Sequence, residues 1–307
     1  MGLFDRLNTP VFYADNSTAA AQLEELEALQ SKATGETASL IESEIKNVRA
    51  GISGEKQIRY ELENSHLPMY VLHDIYLEHN GLTAQIDYLI ITRRHIFVIE
   101  CKNLFGNIEI NNTGDFIRTI PGGKRTKREG IYSPITQNRR HLELIKQIRA
   151  EEKSVLTKFL FEKSFYNTYN PIVVLANPKT VLLAKYAKKE VREQVIRADQ
   201  LVSYIRRVDA SSDSLPMSDK EMEELAAFFA GAHKENKTDY LEKFCKLVAD
   251  SEVPEEPQET QQSTGLVCPK CGAPMVKRIA KKGINAGNEF WGCSRYPSCR
   301  CIVNTTE

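Results

Sequence analysis

Two carboxylates and a lysine sit where an apolar hairpin is expected. In Gln85–Lys102 the runs Ile86–Ile91 and Ile96–Cys101 flank the polar tetrapeptide Thr92-Arg93-Arg94-His95, and short runs rich in Ile, Val, Tyr and Phe read as strands joined by a tight turn. With Arg93 and Arg94 as a two-residue loop, Thr92 faces His95, Ile90 faces Phe97 and Asp87 lands opposite Glu100, with Lys102 two residues along the same face. Two carboxylates this close repel unless a cation lies between them or one keeps its proton, and their hard oxygens suit Mg²⁺ or Mn²⁺. A lysine beside them can orient an attacking water or neutralise charge building on a phosphoryl group. The alternative reading is a structural ion pair of Lys102 with Glu100 or Asp87.

A second set of chemistry-bearing residues lies near the C-terminus. Cys268-Pro-Lys-Cys271, then about twenty residues, then Cys293 and Cys299, has the spacing of a four-thiolate zinc site. Cys301 alternates with Cys299 on one strand and is the competing fourth ligand; Cys299 is favoured. Around these thiols Lys277, Arg278, Lys281, Lys282 and Arg295 are interleaved with Phe290, Trp291 and Tyr296. Cations that follow phosphates and aromatic faces that stack bases are the equipment of single-strand binding, although a zinc ribbon also needs aromatics for its small core. A further basic stretch, Gly122–Gly130, carries Lys124, Arg125, Lys127 and Arg128 and reads either as a phosphate contact or as a solvated hairpin tip.

These residues need elements to hold them. Strands are expected at Met69–Tyr76, Thr83–Thr92, His95–Asn103, Asn107–Asn111 and Phe116–Ile120, forming an antiparallel meander, with further strands at Pro171–Ala176 and Gln194–Arg197. Asn16–Glu63 is rich in Ala, Leu, Glu and Lys and reads as helices broken at Gly51–Gly54, so that a new helix starts with Glu55 in its first turn. Ser133-Pro134 caps a helix that carries Gln137 and His141 one turn apart, and His141 reads as a surface or packing residue rather than a ligand. Helices follow at Asp199–Val208, Ser218–Lys234 and Asp239–Val248. The expected organisation is an N-terminal helical arm (1–50), a core (51–248), an acidic flexible linker (249–266) and a ribbon (267–307).

Asp87 followed after a turn by Glu100-Cys101-Lys102 resembles the D…ExK signature of the PD-(D/E)xK nuclease superfamily, and more narrowly the NERD (nuclease-related domain) family. The resemblance extends over roughly residues 50–150, through Gly54-Glu55, the Asn103–Gly106 turn, and Ser133-Pro134 with Gln137. Where that family usually has a tryptophan, this chain reads Asp115-Phe116-Ile117-Arg118. The resemblance implies an α/β, restriction-endonuclease-like mixed sheet flanked by helices, with Asp87, Glu100 and Glu55 as ligands of Mg²⁺ or Mn²⁺, Lys102 near the attacking water and Gln137 auxiliary. The C-terminal segment is similar to the zinc ribbons of bacterial type I topoisomerases, which implies Zn²⁺ and single-stranded DNA.

The chain has 307 residues and balances 41 basic against 41 acidic side chains, which argues against a wholly basic nucleic-acid coat protein. No apolar run approaches a membrane span and the N-terminus lacks secretory order, so a cytoplasmic protein without membrane association is expected. The resulting expectation is a metal-dependent nuclease cutting DNA, single-stranded or junction-containing, in repair or in defence against foreign DNA; RNA stays open. The competing class is a non-catalytic nucleic-acid-binding or scaffold protein, and the N-terminal helices are the candidate contact for a second copy or a protein partner.

Overall fold

The computed structural model describes residues 6–122, 125–236, 240–252, 266–279 and 288–304. It divides into two compact units, Met1–Cys245 and Lys246–Glu307. In chain order the elements are β1 (Pro10–Asp15), α1 (Ala19–Gln30), α2 (Gly35–Glu63), β2 (Met69–His79), β3 (Leu82–Ile91), β4 (Ile96–Lys102), β5 (Asn107–Ile110), β6 (Phe116–Ile120), β7 (Lys127–Ile131), α3 (Pro134–Glu151), α4 (Val155–Thr168), β8 (Tyr169–Leu175), β9 (Leu182–Leu183), α5 (Lys189–Arg192), β10 (Val195–Arg197), α6 (Leu201–Ala210), α7 (Asp219–Ala232) and α8 (Glu242–Glu252), then the ribbon strands β11 (Met275–Ile279), β12 (Glu289–Cys293) and β13 (Ile302–Asn304).

The first unit is a mixed α/β structure, as expected. Its six-stranded sheet has the order β1-β2-β3-β4-β8-β10; β2, β3 and β4 run antiparallel, whereas β1 on β2, β8 on β4 and β10 on β8 are parallel. The central strands read as continuous apolar runs because both faces are covered. Leu142 and Ile145 of α3 and Met222, Leu225 and Phe229 of α7 pack on one face with Leu89, Ile91, Ile96 and Val98. Ile58 and Leu62 of α2 and Leu201 and Ile205 of α6 pack on the other with Tyr88, Ile90, Phe97 and Ile99.

Several sequence expectations are corrected. Residues 10–15 are a strand on the sheet edge rather than part of a helical arm: Pro10-Val11-Phe12 finds open backbone groups on β2, and parallel pairing satisfies them. Helix α2 runs without a break through Gly51–Gly54, since an isolated glycine costs a helix only about 1 kcal/mol and tertiary packing offsets it. The expected meander stops at β4. There the chain turns at Gly106 (φ 101°), where a Cβ would lie 2.5 Å from Thr119 O, and opens a second sheet of order β7-β6-β5-β9. That sheet lies over Val173 and Leu175 of β8 through Ile108, Ile110 and Phe116. The end of the basic loop is strand β7, and helix α8 continues through Glu252, past the expected start of the linker at 249; the rest of that linker, 253–265, lies outside the described residues.

The polar turn of the hairpin is an anchor. Thr92 N–H donates to His95 O at 2.9 Å, Asp209 of α6 accepts from Thr92 Oγ1 at 2.9 Å and sits 2.7 Å from His95 Nδ1, and Arg93 reaches Asp219 of α7 at 2.5 Å. Four polar residues between two apolar runs therefore fix the hairpin to helices on both faces of the sheet.

Candidate functional site

The β3–β4 ladder has the register read from the sequence: Ile91 pairs Ile96, Ile90 pairs Phe97 and Tyr88 pairs Ile99. One step further, where Asp87 would face Glu100, the ladder gives way to a side-chain contact, with Cys101 N–H donating to Asp87 Oδ2 at 2.6 Å. Glu100 is 2% exposed. Its Oε1 accepts from Lys102 Nζ at 2.5 Å, while its Oε2 is buried with no hydrogen-bond partner and lies 3.6 Å from His141 Nδ1, itself unpartnered. Burial raises the carboxyl of Asp87 well above its usual range, and the neighbouring Glu100 and Glu55 add to this against the Cys101 N–H and Lys102. Burial likewise raises Glu100, against Lys102. Burial works to lower Lys102, but Glu100 and Asp87 outweigh it and hold the ammonium above its ordinary value. His141 is pushed down to about 4 by burial and by Lys102, so its imidazole is neutral.

Helix α3 covers this face because Ser133 Oγ caps it at Thr136 N–H and Pro134 opens it. Asn138 then donates to Val98 O at 2.8 Å and Ile172 O at 3.1 Å, bridging β4 and β8 beside Pro171, which has no N–H to give. Gln137 is half-buried on the preceding helical position and shares a helical face with His141 one turn on.

Glu55 reaches the sheet from its other face. Helix α2 passes so close to the ends of β4 and β8 that a Cβ at Gly54 would lie 2.7 Å from Asn103 Cβ, 3.2 Å from Cys101 Sγ and 3.3 Å from Ala176 Cβ. Asn103 Nδ2 donates to Ala50 O at 2.7 Å and completes the clamp. Glu55 Oε2 lies 3.1 Å from His73 Nε2, and His73 Nδ1 is 2.8 Å from Asp15 Oδ1. Burial works to lower His73, but hydrogen bonds to Glu55 and Asp15 prevail and raise it. The structure brings Asp87, Glu100 and Lys102 together. It does not gather Glu55 with the other two carboxylates: among the described residues, the only set of three or more Asp, Glu, His and Cys side chains with all ligand atoms within 4.8 Å is the four-cysteine group.

Sequence reasoning passed over Asp15 and His73 and read His141 as a surface or packing residue. Asp15 ends a strand that the sequence reading merged into the helical arm. The available signal for His73 was a His-Asp pair inside the otherwise apolar run Met69–Leu77.

In the second unit β11, β12 and β13 form an antiparallel sheet. Cys268 Sγ is 3.7 Å from Cys299 Sγ and Cys271 Sγ is 3.4 Å from Cys293 Sγ; all four sulfurs lie within 4.8 Å of one another. Cys301 is buried against the cluster without joining this set. Burial and hydrogen bonding act unevenly on the thiols. Burial works to raise Cys268, but backbone N–H groups of Lys270 and Cys271 bring it down to about 6, whereas at Cys293 the Arg295 N–H is outweighed by burial and the neighbouring thiols, which push it up to about 12. Trp291 packs on the cluster with Val303, so it belongs to the core, while Tyr296 is 59% exposed under Arg278, whose Cζ lies 5.8 Å from the ring centroid. Phe290 is half-buried and Arg295 exposed. Lys277 pairs with Glu289 at 2.6 Å. Lys281 and Lys282 lie outside the described residues.

Residues 50–176 match the family model of the nuclease-related domain and residues 265–307 that of the topoisomerase DNA-binding C4 zinc finger. The chain carries a nuclease-related domain and a topoisomerase-type zinc ribbon. Among curated proteins it is similar to DNA topoisomerase 1 of two Helicobacter pylori strains, J99 and 26695, at 40% and 38% identity over 48 residues. That is 16% of this chain and 6% of each topoisomerase, so the likeness is confined to a short segment. No solved structure matches. Within the basic hairpin of the nuclease-related domain, Lys127 pairs with Glu129 at 2.5 Å and Arg128 with Glu109 at 2.7 Å. Arg125 is exposed, and Lys124 lies outside the described residues. No helix among the described residues is long and apolar enough to cross a membrane.

Proposed function

We propose that the nuclease-related domain hydrolyses DNA phosphodiester bonds with Mg²⁺ or Mn²⁺, and that the zinc ribbon holds single-stranded DNA for it. The observation that carries this reading is the orphaned Glu100 Oε2, buried without a partner on the face it shares with Asp87 and Lys102. A buried carboxylate oxygen left unpaired is costly. The donor set is all hard oxygen with both carboxyls raised by burial, which suits a divalent cation of this class. Asp87 and Glu100 would hold it and Glu55 would join directly or through water. When bound, the ion would supply Lewis-acid polarisation of the phosphoryl group.

The chain's own residues do the rest. Lys102, charged and tied to Glu100, orients water toward the phosphorus and offsets charge on the phosphoryl oxygens. The neutral His141 and half-buried Gln137 line the same face from α3 and exclude bulk water. On the ribbon, Tyr296 and Phe290 offer stacking faces and Arg278 and Arg295 phosphate contacts; tethering raises the local concentration of substrate at the first unit.

One observation favours a second reading. Glu100 is already paired with Lys102, and Glu55 does not form a mutually close ligand set with the other carboxylates, as a nuclease-like scaffold that binds nucleic acid without cutting it would allow. Cleavage of labelled single- and double-stranded DNA with and without Mg²⁺ or Mn²⁺ separates the two. Cutting by the wild type that is lost in Glu100→Ala and Lys102→Ala supports the nuclease; cutting that survives both substitutions rejects this site.

A further inference from the structure

His73 lies on β2 with its side chain 8% exposed and is held on all sides. Nδ1 meets Asp15 Oδ1 at 2.8 Å and Nε2 meets Glu55 Oε2 at 3.1 Å. The ring stacks on Tyr88 with centroids 4.4 Å apart and planes 20° from parallel. The Tyr88 hydroxyl in turn donates to the Glu55 backbone oxygen at 2.9 Å. Behind the imidazole, Asp15 Oδ2 accepts from Arg59 at 2.8 Å, one turn beyond Glu55 on α2, and the Arg59 guanidinium lies 4.3 Å from the Phe12 ring centroid.

Docking α2 needs none of this polarity, since Ile58 and Leu62 already bury it against the sheet. A buried imidazole between two carboxylates requires another reason. Glu55 is a flexible side chain on a helix that meets the sheet from the face opposite Asp87 and Glu100, and the His73 contact selects one orientation of its carboxylate.

We propose that His73, backed by Asp15, is a positioning residue that fixes the Glu55 carboxylate for the metal site. The inference rests on the metal-dependent reading above. Groups that orient a ligand from behind change metal affinity by about 10- to 100-fold.

The test is Mn²⁺ binding to the full-length, zinc-loaded protein, followed by electron paramagnetic resonance, with thermal melts alongside. His73→Phe is expected to weaken Mn²⁺ binding by about tenfold. Asp15→Asn, which leaves the imidazole in place and keeps the comparison usable should the phenylalanine variant misfold, shifts affinity in the same direction by less. Glu55→Ala matches His73→Phe, and the double variant is no weaker than Glu55→Ala alone, because His73 acts through Glu55. A purely structural His73 would lower the melting temperature and leave the Mn²⁺ affinity of both single variants at the wild-type value, or its effect would add to that of Glu55→Ala; either result overturns the inference while leaving the metal site standing. A wild type that binds no Mn²⁺ overturns the metal site itself, and the inference with it.

Discussion

Replacing Asp87 with asparagine should make the metal-free protein more stable. Asparagine keeps the oxygen that accepts the Cys101 N–H at 2.6 Å and removes the negative charge facing Glu100. Like charges facing one another across strands are destabilising, on the scale of about 1 kcal/mol that cross-strand pairs contribute, and Glu100 is 2% exposed, so about 1 kcal/mol should be recovered. For a unit of this size that is about 2–4 °C in Tm. The pH dependence has a definite sign. Asp87 is raised above its ordinary 3.8, so its contribution is fully present below that value and is lost as pH rises through the raised one; the asparagine variant lacks this part of the slope. Mg²⁺ at about a hundred times its dissociation constant should stabilise the wild type by about 2.7 kcal/mol, roughly 5–10 °C, and the variant hardly at all. Calorimetric melts of zinc-loaded wild type and variant, with and without Mg²⁺ and free of chelator, measure both effects. A variant that melts below the wild type without metal, or an equal Mg²⁺ shift in the two, would refute the reasoning.

Gly54→Ala should destabilise the first unit by about 1–3 kcal/mol, since its Cβ would lie 2.7 Å from Asn103 Cβ; urea melts showing an unchanged midpoint would contradict this. His141, held at about 4 against an ordinary 6.5, contributes stability that is complete above pH 6.5 and is lost as pH falls toward 4. His141→Asn should flatten that part of the acid limb, as tracked by melts across the range. In the ribbon, Co²⁺ replacing zinc should give the thiolate charge-transfer spectrum of a tetrahedral four-sulfur site. Cys301→Ser should keep that spectrum and Cys299→Ser should lose a thiolate, because Cys299 and not Cys301 is in the set of mutually close sulfurs.

The charged end of the hairpin was legible because strand pairing is a local rule. A two-residue turn determines which residue faces which, and the register from Ile91–Ile96 to Tyr88–Ile99 follows from it. The ribbon was legible from cysteine spacing for the same reason. What the sequence concealed was non-local. Nothing in Pro10–Asp15 announces that its partner is β2, 59 residues away at Met69, and without that pairing Asp15 and His73 have no reason to meet. The glycines at 51 and 54 read as a break because propensity weighs them alone; packing against Asn103, Cys101 and Ala176 makes the bare helix surface at Gly54 a requirement. Two cations of the basic hairpin, Arg128 and Lys127, meet Glu109 and Glu129, and the Arg128–Glu109 pairing depends on a strand order that spacing alone does not give.

The unbroken helix α2 has a mechanical meaning. Its 29 residues make a rod of about 44 Å, gripped near its middle where Asn103 and Gly54 meet the sheet. One arm is braced on α1 through the Arg49–Glu27 pair, and Glu55 sits beside the pivot. An α-helix transmits tilt with little bending over such a length, so a load applied to the arm would arrive at Glu55 as a small displacement scaled down by the ratio of the two distances.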